Sequence, residues 1–306
     1  MITLFTMPKG FSGHFGLIQR NAILSWTRLE PRPEILLLGD DPGVGEFAAE
    51  HGLKHLPVIA KSPKGRPLIS DIFLQADRHS TAPVLCYINA DIVLLSDFLP
   101  AVARVQSRFK KFLAAGRRTD TDITTPIDFD DADWEPKLRQ VAITTGFLQA
   151  FGAIDYFIHT RGLFGTIPPF LIGRTSWDNW LLYRARERGA PIIDMTAVVT
   201  VIHQNHDYST VPGGRATAFH GDEAAYNRAL CGGNEHFFTL YDATHRLMPG
   251  GLRWATDRWR AYLARVPVFY PHLRTPARWA TQTLEGASWL WQRWRRRDMA
   301  ASGESS

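Results

Sequence analysis

The stretch VLCYINADIVLL, residues 84–95, decides the fold. A β-prone apolar run at 84–88 leads into Asn89-Ala90-Asp91, and a second apolar run follows at 92–95. A continuous apolar run of this length is typical of a strand that is buried on both faces of a parallel sheet. Because alternate residues of an extended chain point to the same side, Asn89 and Asp91 are expected to reach the same bound group at the end of this strand.

The residues before this stretch alternate between strand and helix patterns. The pattern predicts strands at 2–7, 34–39 and 56–60, and helices at 17–29, 44–50 and 70–79. Strands that alternate with helices predict an α/β fold with a mostly parallel sheet flanked by helices. Ligands of such sheets bind beyond the carboxyl ends of the strands, where Asp40, Asp41 and Asp91 stand. Ordinary turn chemistry is the alternative for all three residues.

This order of elements, with one strand ending in Asp40-Asp41 and a later one in Asn89-Ala90-Asp91, resembles the nucleotide-sugar glycosyltransferases of the GT-A fold, family 2-like. The resemblance implies a Rossmann-like sheet, a nucleoside diphosphate sugar as donor and a divalent cation, Mn²⁺ or Mg²⁺. It also implies that Asp40 or Asp41 contacts the nucleoside, and that the triplet holds the metal and the donor diphosphate. Position 89 is Asn where the family has Asp, and a neutral amide is the weaker metal ligand.

Asp178 stands where a helix is expected to open, between Trp177 and Trp180. The two indoles could form a flat wall for a sugar ring, and Asp178 could deprotonate an acceptor hydroxyl. The resemblance favours this role, because many inverting GT-A enzymes have their base at the start of such a helix. The alternative is an acid that the dipole of the helix stabilises at its N-terminus.

Two further pairs are candidate ligands. Arg117 and Arg118 are expected to contact phosphate oxygens of the donor, since guanidinium groups bind them bidentately, and a solvated pair is the alternative. His203 and His206 follow a strand predicted at 198–202, and imidazole suits manganese or zinc. By resemblance, either histidine would be a further metal ligand beside Asp91; structural histidines are the alternative.

Several other classes lack their motifs. Gly10, Gly13 and Gly16 follow the first strand, but their spacing fits neither the dinucleotide fingerprint nor the P-loop. The chain has no Gly-x-Ser-x-Gly elbow and no His-Glu-x-x-His. Its 2 cysteines exclude a disulfide framework and suit a reducing compartment. Because no run resembles a secretory leader or a membrane span, we expect a cytoplasmic protein.

Composition divides the chain into an expected catalytic domain, residues 1–248, and a basic helical extension with a disordered end, residues 249–306. Two amphipathic helices are predicted in this extension, at residues 253–265 and 289–297. Residues 251–306 hold ten arginines, no lysine, four acidic residues and six of the 10 tryptophans. Indoles and arginines favour an anionic membrane surface, so we expect peripheral contact with the inner face of a membrane. Helices that pack on the catalytic domain are the alternative, and nucleic-acid binding is the weakest interpretation because no such motif occurs.

The predicted function is the transfer of a sugar from a nucleoside diphosphate sugar to an acceptor hydroxyl, in a glycan or a lipid-linked or envelope polysaccharide. One alternative is a catalytically inactive, membrane-docked scaffold that binds sugar nucleotides, for which Asn89 is the main argument. The other is a sugar-nucleotide pyrophosphorylase, although residues 10–20 lack the Gly-x-Gly-x-Arg signature expected of that class.

Overall fold

A computed structural model describes residues 2–207 and 214–276. The chain forms two compact units, Met1–Trp254 and Ala255–Ser306. The strands of the first unit are β1 (Ile2–Thr6), β2 (Glu34–Leu38), β3 (Lys54–Leu56), β4 (Val84–Ile88), β5 (Ile92–Leu94), β6 (Leu113–Ala115), β7 (Thr119–Thr121), β8 (Phe147–Leu148), β9 (Tyr156–Thr160), β10 (Ile192–Asp194), β11 (Val201–Gln204), β12 (His245–Met248) and β13 (Gly251–Trp254). Its helices are α1 (Gly13–Thr27), α2 (Val44–Glu50), α3 (Ile69–His79), α4 (Phe98–Gln106), α5 (Trp134–Thr144), α6 (Trp177–Glu187), α7 (Gly214–His220) and α8 (Asp222–Cys231).

The large sheet has nine strands in the order β13-β12-β10-β6-β9-β4-β1-β2-β3. Strands β4, β1, β2 and β3 run parallel to one another, as do β6, β10 and β12. Strand β9 lies antiparallel between β4 and β6, and β13 closes one edge as a hairpin with β12. The predicted α/β class with a mostly parallel sheet flanked by helices is therefore confirmed.

A second, smaller sheet has the order β5-β11-β7-β8. Strand β11 pairs antiparallel with β5 and parallel with β7. Only three residues separate β4 from β5, so the chain passes from the large sheet into the small one at Asn89-Ala90-Asp91. This turn places Asp91 where the two sheets meet.

Helix α1 braces this junction from the core. All five residues of β1 and of β4 are buried, as the continuous apolar runs predict. The indole N–H of the buried Trp26 donates to the Ile92 carbonyl over 2.7 Å, and the Leu94 N–H donates to the Ser25 hydroxyl over 3.1 Å. The start of β5, directly after Asp91, is therefore held by both apolar burial and hydrogen bonds.

Some element boundaries differ from the predictions. The late strand lies at Val201–Gln204, not at 198–202, because the N–H groups of Val198 and Val199 both bond to the Met195 carbonyl in a turn. Strand β3 ends at Leu56, where the predicted strand begins. Trp254, assigned by its pattern to a helix of the extension, is the last residue of the β12–β13 hairpin, and the composition boundary near residue 249 falls at the turn of that hairpin.

The described part of the second unit contains helix α9 (Trp259–Phe269). The second predicted helix of the extension, around residues 289–297, and its expected disordered end lie outside the described residues. Among the helices that the structure describes, none has the length and apolar character needed to cross a bilayer.

Candidate functional site

Asp91 follows β4 and lies close to two histidines from a much later part of the chain, His203 and His206. Oδ2 of Asp91 lies 3.1 Å from Nε2 of His206 and 3.8 Å from Nε2 of His203. One ligand atom from each of the three residues lies within 4.8 Å of the others. We call these three residues the cation cluster. His203 belongs to β11 and His206 follows that strand, so the pairing of β11 with β5 creates the cluster.

Burial and charge shape this cluster. The side chains of Asp91 and His206 are each 17% exposed and that of His203 is 8% exposed. Burial acts to raise the pKa of Asp91, but the two histidines outweigh it and hold the pKa at about 2. Burial acts to lower the pKa of His203, but Asp91 and Asp120 outweigh it and hold this pKa above its ordinary value. Asp91 and His203 therefore each shift the pKa of the other in favour of its charged form.

The donor set fits a divalent cation. Oδ1 of Asp91 is buried and accepts no hydrogen bond from the residues that the structure describes, so one oxygen of this carboxylate is left for another partner. A carboxylate with two imidazoles suits Mn²⁺ or Zn²⁺ better than Mg²⁺, which prefers oxygen ligands. Three protein ligands also leave coordination positions open for the oxygens of a bound molecule.

A second group of polar side chains supports the cluster. Arg118 Nε donates to Asp120 Oδ1 over 2.8 Å, and the Nη1 of Arg118 donates to Asp155 Oδ2 over 2.6 Å. Asn89 Nδ2 donates to Asp155 Oδ1 over 2.6 Å. The guanidinium of Arg118 is thus committed to two carboxylates, and Asn89 faces Asp155 with its amide nitrogen.

The other predicted phosphate contact, Arg117, is also engaged within the protein. Its Nε donates to the Gln149 carbonyl, and its guanidinium lies 4.8 Å from the ring centre of Phe151. Contacts from Arg117 and Arg118 to a donor phosphate stay predictions. Each would require the guanidinium to exchange partners or to share them.

Asp178 is the second residue of α6, as the sequence places it near a helix start. The preceding Ser176 has a φ of 84°, a left-handed conformation that side chains rarely adopt, and such strain is concentrated at functional positions. Burial raises the pKa of Asp178 to about 6; backbone N–H groups oppose this rise and the Asp155 charge adds to it. Oδ1 of Asp178 is buried and accepts no hydrogen bond from any described residue. The pKa of Asp178 is therefore shifted towards neutral pH, and its carboxyl group lies within electrostatic range of Asp155.

The two indoles beside Asp178 are part of the core. Trp177 and Trp180 are 7% and 6% exposed. Trp177 packs edge-on against Tyr87 with ring centres 5.2 Å apart, and Trp180 lies 5.5 Å from Phe170. Little indole surface is left for a ligand, and the sugar-stacking role stays a prediction that this packing does not favour.

Asp40 and Asp41 follow β2 as expected. Asp40 is exposed and forms an ion pair with Lys61, whose Nζ donates a hydrogen bond to Oδ1 of Asp40 over 2.9 Å. Burial, followed by the Asp40 charge, raises the pKa of Asp41. Both carboxylates lie just beyond the carboxyl end of β2. Lys61 and Lys9 are within electrostatic range of Asp41.

Three residues of the site were not predicted from the sequence: Lys9, Asp120 and Asp155. The Lys9 ammonium lies 4.0 Å over the ring of Phe15, and burial lowers its pKa while Asp91, Asp207 and Asp41 oppose that shift. Lys9 thus brings a positive charge to the region between the two acidic strand ends. Its position between β1 and α1, directly after the first strand, was the available signal.

No family model matches the chain, and no curated protein matches it. Among solved structures, residues 1–349 of S. aureus TarS align with a TM-score of 0.45 and 8% identity, over 66% of this chain and 60% of that chain. The same fragment in complex with UDP-GlcNAc aligns with a TM-score of 0.46 and 11% identity, over 67% and 59%. The longer TarS structure is covered over 36% of its length. This partial overlap identifies no shared activity.

Proposed function

We propose that the protein is a glycosyltransferase that moves a sugar from a nucleoside diphosphate sugar to an acceptor hydroxyl. The observation that carries this proposal is the cation cluster at the carboxyl end of β4, with Asp91 held between His203 and His206. A largely buried carboxylate beside two imidazoles, at the carboxyl end of a parallel strand where ligands bind, is suited to a ligand that arrives with a metal and carries negative charge.

A divalent cation, Mn²⁺ in preference to Mg²⁺, would be held by Asp91, His203 and His206. When bound, it would supply positive charge to the diphosphate leaving group. Lys9 would add a second positive charge on the same side, from its position near Asp91 and Asp41. Asp40 and Asp41 would contact the nucleoside, since they end the strand next to β1.

Asp178 would accept the proton of the acceptor hydroxyl. An ordinary aspartate is a weak base at neutral pH, whereas a carboxyl with a pKa of about 6 is a much better proton acceptor and is still mainly ionised there. Its buried Oδ1, with no donor among the described residues, is available for this proton. Such a base serves an inverting transfer, and a retaining transfer does not require it.

The acceptor would be carried on a lipid or in an envelope polysaccharide, with the protein bound to the inner face of a membrane. Support comes from the basic, Trp-rich residues 251–306 and from the aromatic side chains exposed near their start, such as Trp254, which is 70% exposed, and Tyr262, which is 55% exposed. Flotation of the full chain with vesicles that contain anionic lipid, compared with neutral vesicles, tests this part separately.

The test of the main proposal is donor turnover. Purified full-length protein is incubated with UDP-, GDP- and dTDP-sugars, with and without Mn²⁺, and the released nucleoside diphosphate is measured. We expect Mn²⁺-dependent release from one donor class, its loss in Asp91→Asn, and its retention in Asp130→Asn, a matched change at an exposed carboxylate. Binding of a donor without release would favour the inactive scaffold, and release of pyrophosphate from a sugar phosphate and a nucleoside triphosphate would identify a pyrophosphorylase.

A further inference from the structure

Asp120 and His203 are direct neighbours in the small sheet. They face each other in the parallel register of β7 and β11. Oδ1 of Asp120 lies 3.1 Å from Nδ1 of His203 in an ion-pair contact that does not have the geometry of a hydrogen bond, and the other ring nitrogen, Nε2, lies 3.8 Å from Oδ2 of Asp91. The imidazole therefore lies between two carboxylates, with one ring nitrogen towards each.

Asp120 is itself held in place by two donors. Arg118 donates to Oδ1 over 2.8 Å and Gln149 donates to Oδ2 over 2.7 Å. The second arm of Arg118 is fixed by Asp155. The carboxylate of Asp120 cannot turn away from His203 without losing these contacts. The hydrogen bonds among Arg118, Asp120 and Gln149 therefore fix the carboxylate beside the His203 ring.

We propose that Asp120 is a positioning residue that directs Nε2 of His203 towards Asp91 and so sets the cation affinity of the cluster. This inference rests on the proposed function, because it concerns the same cation. A neutral imidazole carries one proton, and the negative charge of a carboxylate beside Nδ1 favours that proton there and leaves the lone pair on Nε2 for a metal. Outer partners of this kind typically change metal affinity by about 10–100-fold.

Calorimetric titration of the full-length protein with Mn²⁺ alone tests the inference. We expect Asp120→Asn to bind Mn²⁺ about 10–100-fold more weakly than the wild type, as for other outer partners. Gln149→Ala, which releases only one of the contacts to Asp120, is expected to weaken binding to a smaller extent. Asp130→Asn is the matched control and is expected to bind with wild-type affinity.

A second readout separates positioning from a general loss of structure. Long-range ¹H–¹⁵N spectra of the histidine rings in the Zn²⁺-loaded protein report which nitrogen of His203 is bound to the metal. We expect Nε2 in the wild type and a mixture of Nε2 and Nδ1 in Asp120→Asn. If Asp120→Asn does not fold, Gln149→Ala decides by the same two measurements.

Wild-type Mn²⁺ affinity in Asp120→Asn, or in Gln149→Ala when the first variant does not fold, would overturn the inference. This failure differs from a failure of the proposed function. If the wild-type protein itself binds no Mn²⁺, the cation cluster is wrongly assigned; if it binds Mn²⁺ and the variants bind equally well, only the role of Asp120 is wrong.

Discussion

Nε2 of His206 lies 3.1 Å from Oδ2 of Asp91, although 115 residues separate them along the chain. The contact exists because β11 pairs with β5, which begins directly after Asp91. A late segment of the chain therefore completes a site that begins at the end of an early strand of the large sheet.

Removing His206 tests this relationship directly. We expect His206→Ala to weaken Mn²⁺ binding by more than about 100-fold, because a ligand is worth more than the outer partners, for which about 10–100-fold is typical. Calorimetric titration measures the change. His79→Ala, at the exposed end of α3, is the control, and an equal loss in that variant would contradict a specific role for His206.

Replacing Asp178 with Asn is expected to raise the stability of the fold at neutral pH while it lowers turnover. The folded pKa of about 6 lies above the ordinary value of 3.8, so the proton bound to Asp178 stabilises the fold below pH 4, and this contribution is lost as the pH rises through 6. Asn is never ionised. We therefore expect Asp178→Asn to be more stable than the wild type at pH 7.5, by up to about 3 kcal/mol, and to lose about two thirds of this advantage at pH 4.5.

Thermal melts of Asp178→Asn and wild type at these two pH values give the comparison. Removal of a general base typically costs about 10²–10⁴-fold in rate, so turnover of the variant should fall by that amount at pH 7.5. A stability difference that does not change between the two pH values would show that Asp178 has an ordinary pKa.

Lys9 should contribute to donor affinity. A hydrogen bond to a charged group is worth about 1.5–3 kcal/mol, which corresponds to roughly 10–100-fold in affinity. We expect Lys9→Met to lose donor affinity in this range while the matched variant Lys137→Met, at an exposed side chain, retains it. Titration with the nucleoside diphosphate in the presence of Mn²⁺ measures both, and unchanged affinity in Lys9→Met would remove Lys9 from the site.

Arg118 is expected to contribute mainly to the free energy of unfolding. Its removal takes one cation away from the carboxylates of Asp120 and Asp155. Breaking a buried ion pair in this way costs about 3–5 kcal/mol, and because the Arg118 side chain is 23% exposed we expect a cost at the lower end of that range. Arg28→Ala breaks an exposed pair with Asp130 and should cost less than about 1 kcal/mol. Urea unfolding of Arg118→Ala and Arg28→Ala gives the two free energies.

The opposite result for Arg118 would support its predicted contact with the donor. If Arg118→Ala unfolds at the wild-type urea concentration but loses donor affinity, the guanidinium binds phosphate in the complex. In that case the two ion pairs of the free protein are weak and exchange readily for the ligand.

The large sheet and the position of Asp91 could be predicted from the sequence because strands buried on both faces leave continuous apolar runs, such as residues 84–88. Asp91 follows such a run at once, so its place at a strand end needed no knowledge of the pairing. Helix α2 was predicted with the bounds that the structure gives it, Val44–Glu50.

The supporting residues could not be predicted in the same way. Asp120 lies in a strand of three residues, too short to leave a pattern, and its neighbour His203 is brought to it by a pairing of distant strands. The packing of α6 likewise decides that Trp177 and Trp180 are buried, because the sequence of the helix alone does not say which face meets the sheet.

The most direct test of the cation cluster is a calorimetric titration of the wild-type protein and of Asp91→Asn with a nucleoside diphosphate, with and without Mn²⁺. We expect Mn²⁺ to strengthen binding to the wild type and to have no effect on Asp91→Asn, while Asp130→Asn follows the wild type. Mn²⁺ enhancement of equal size in Asp91→Asn would contradict the claim, because the cation would then be held elsewhere.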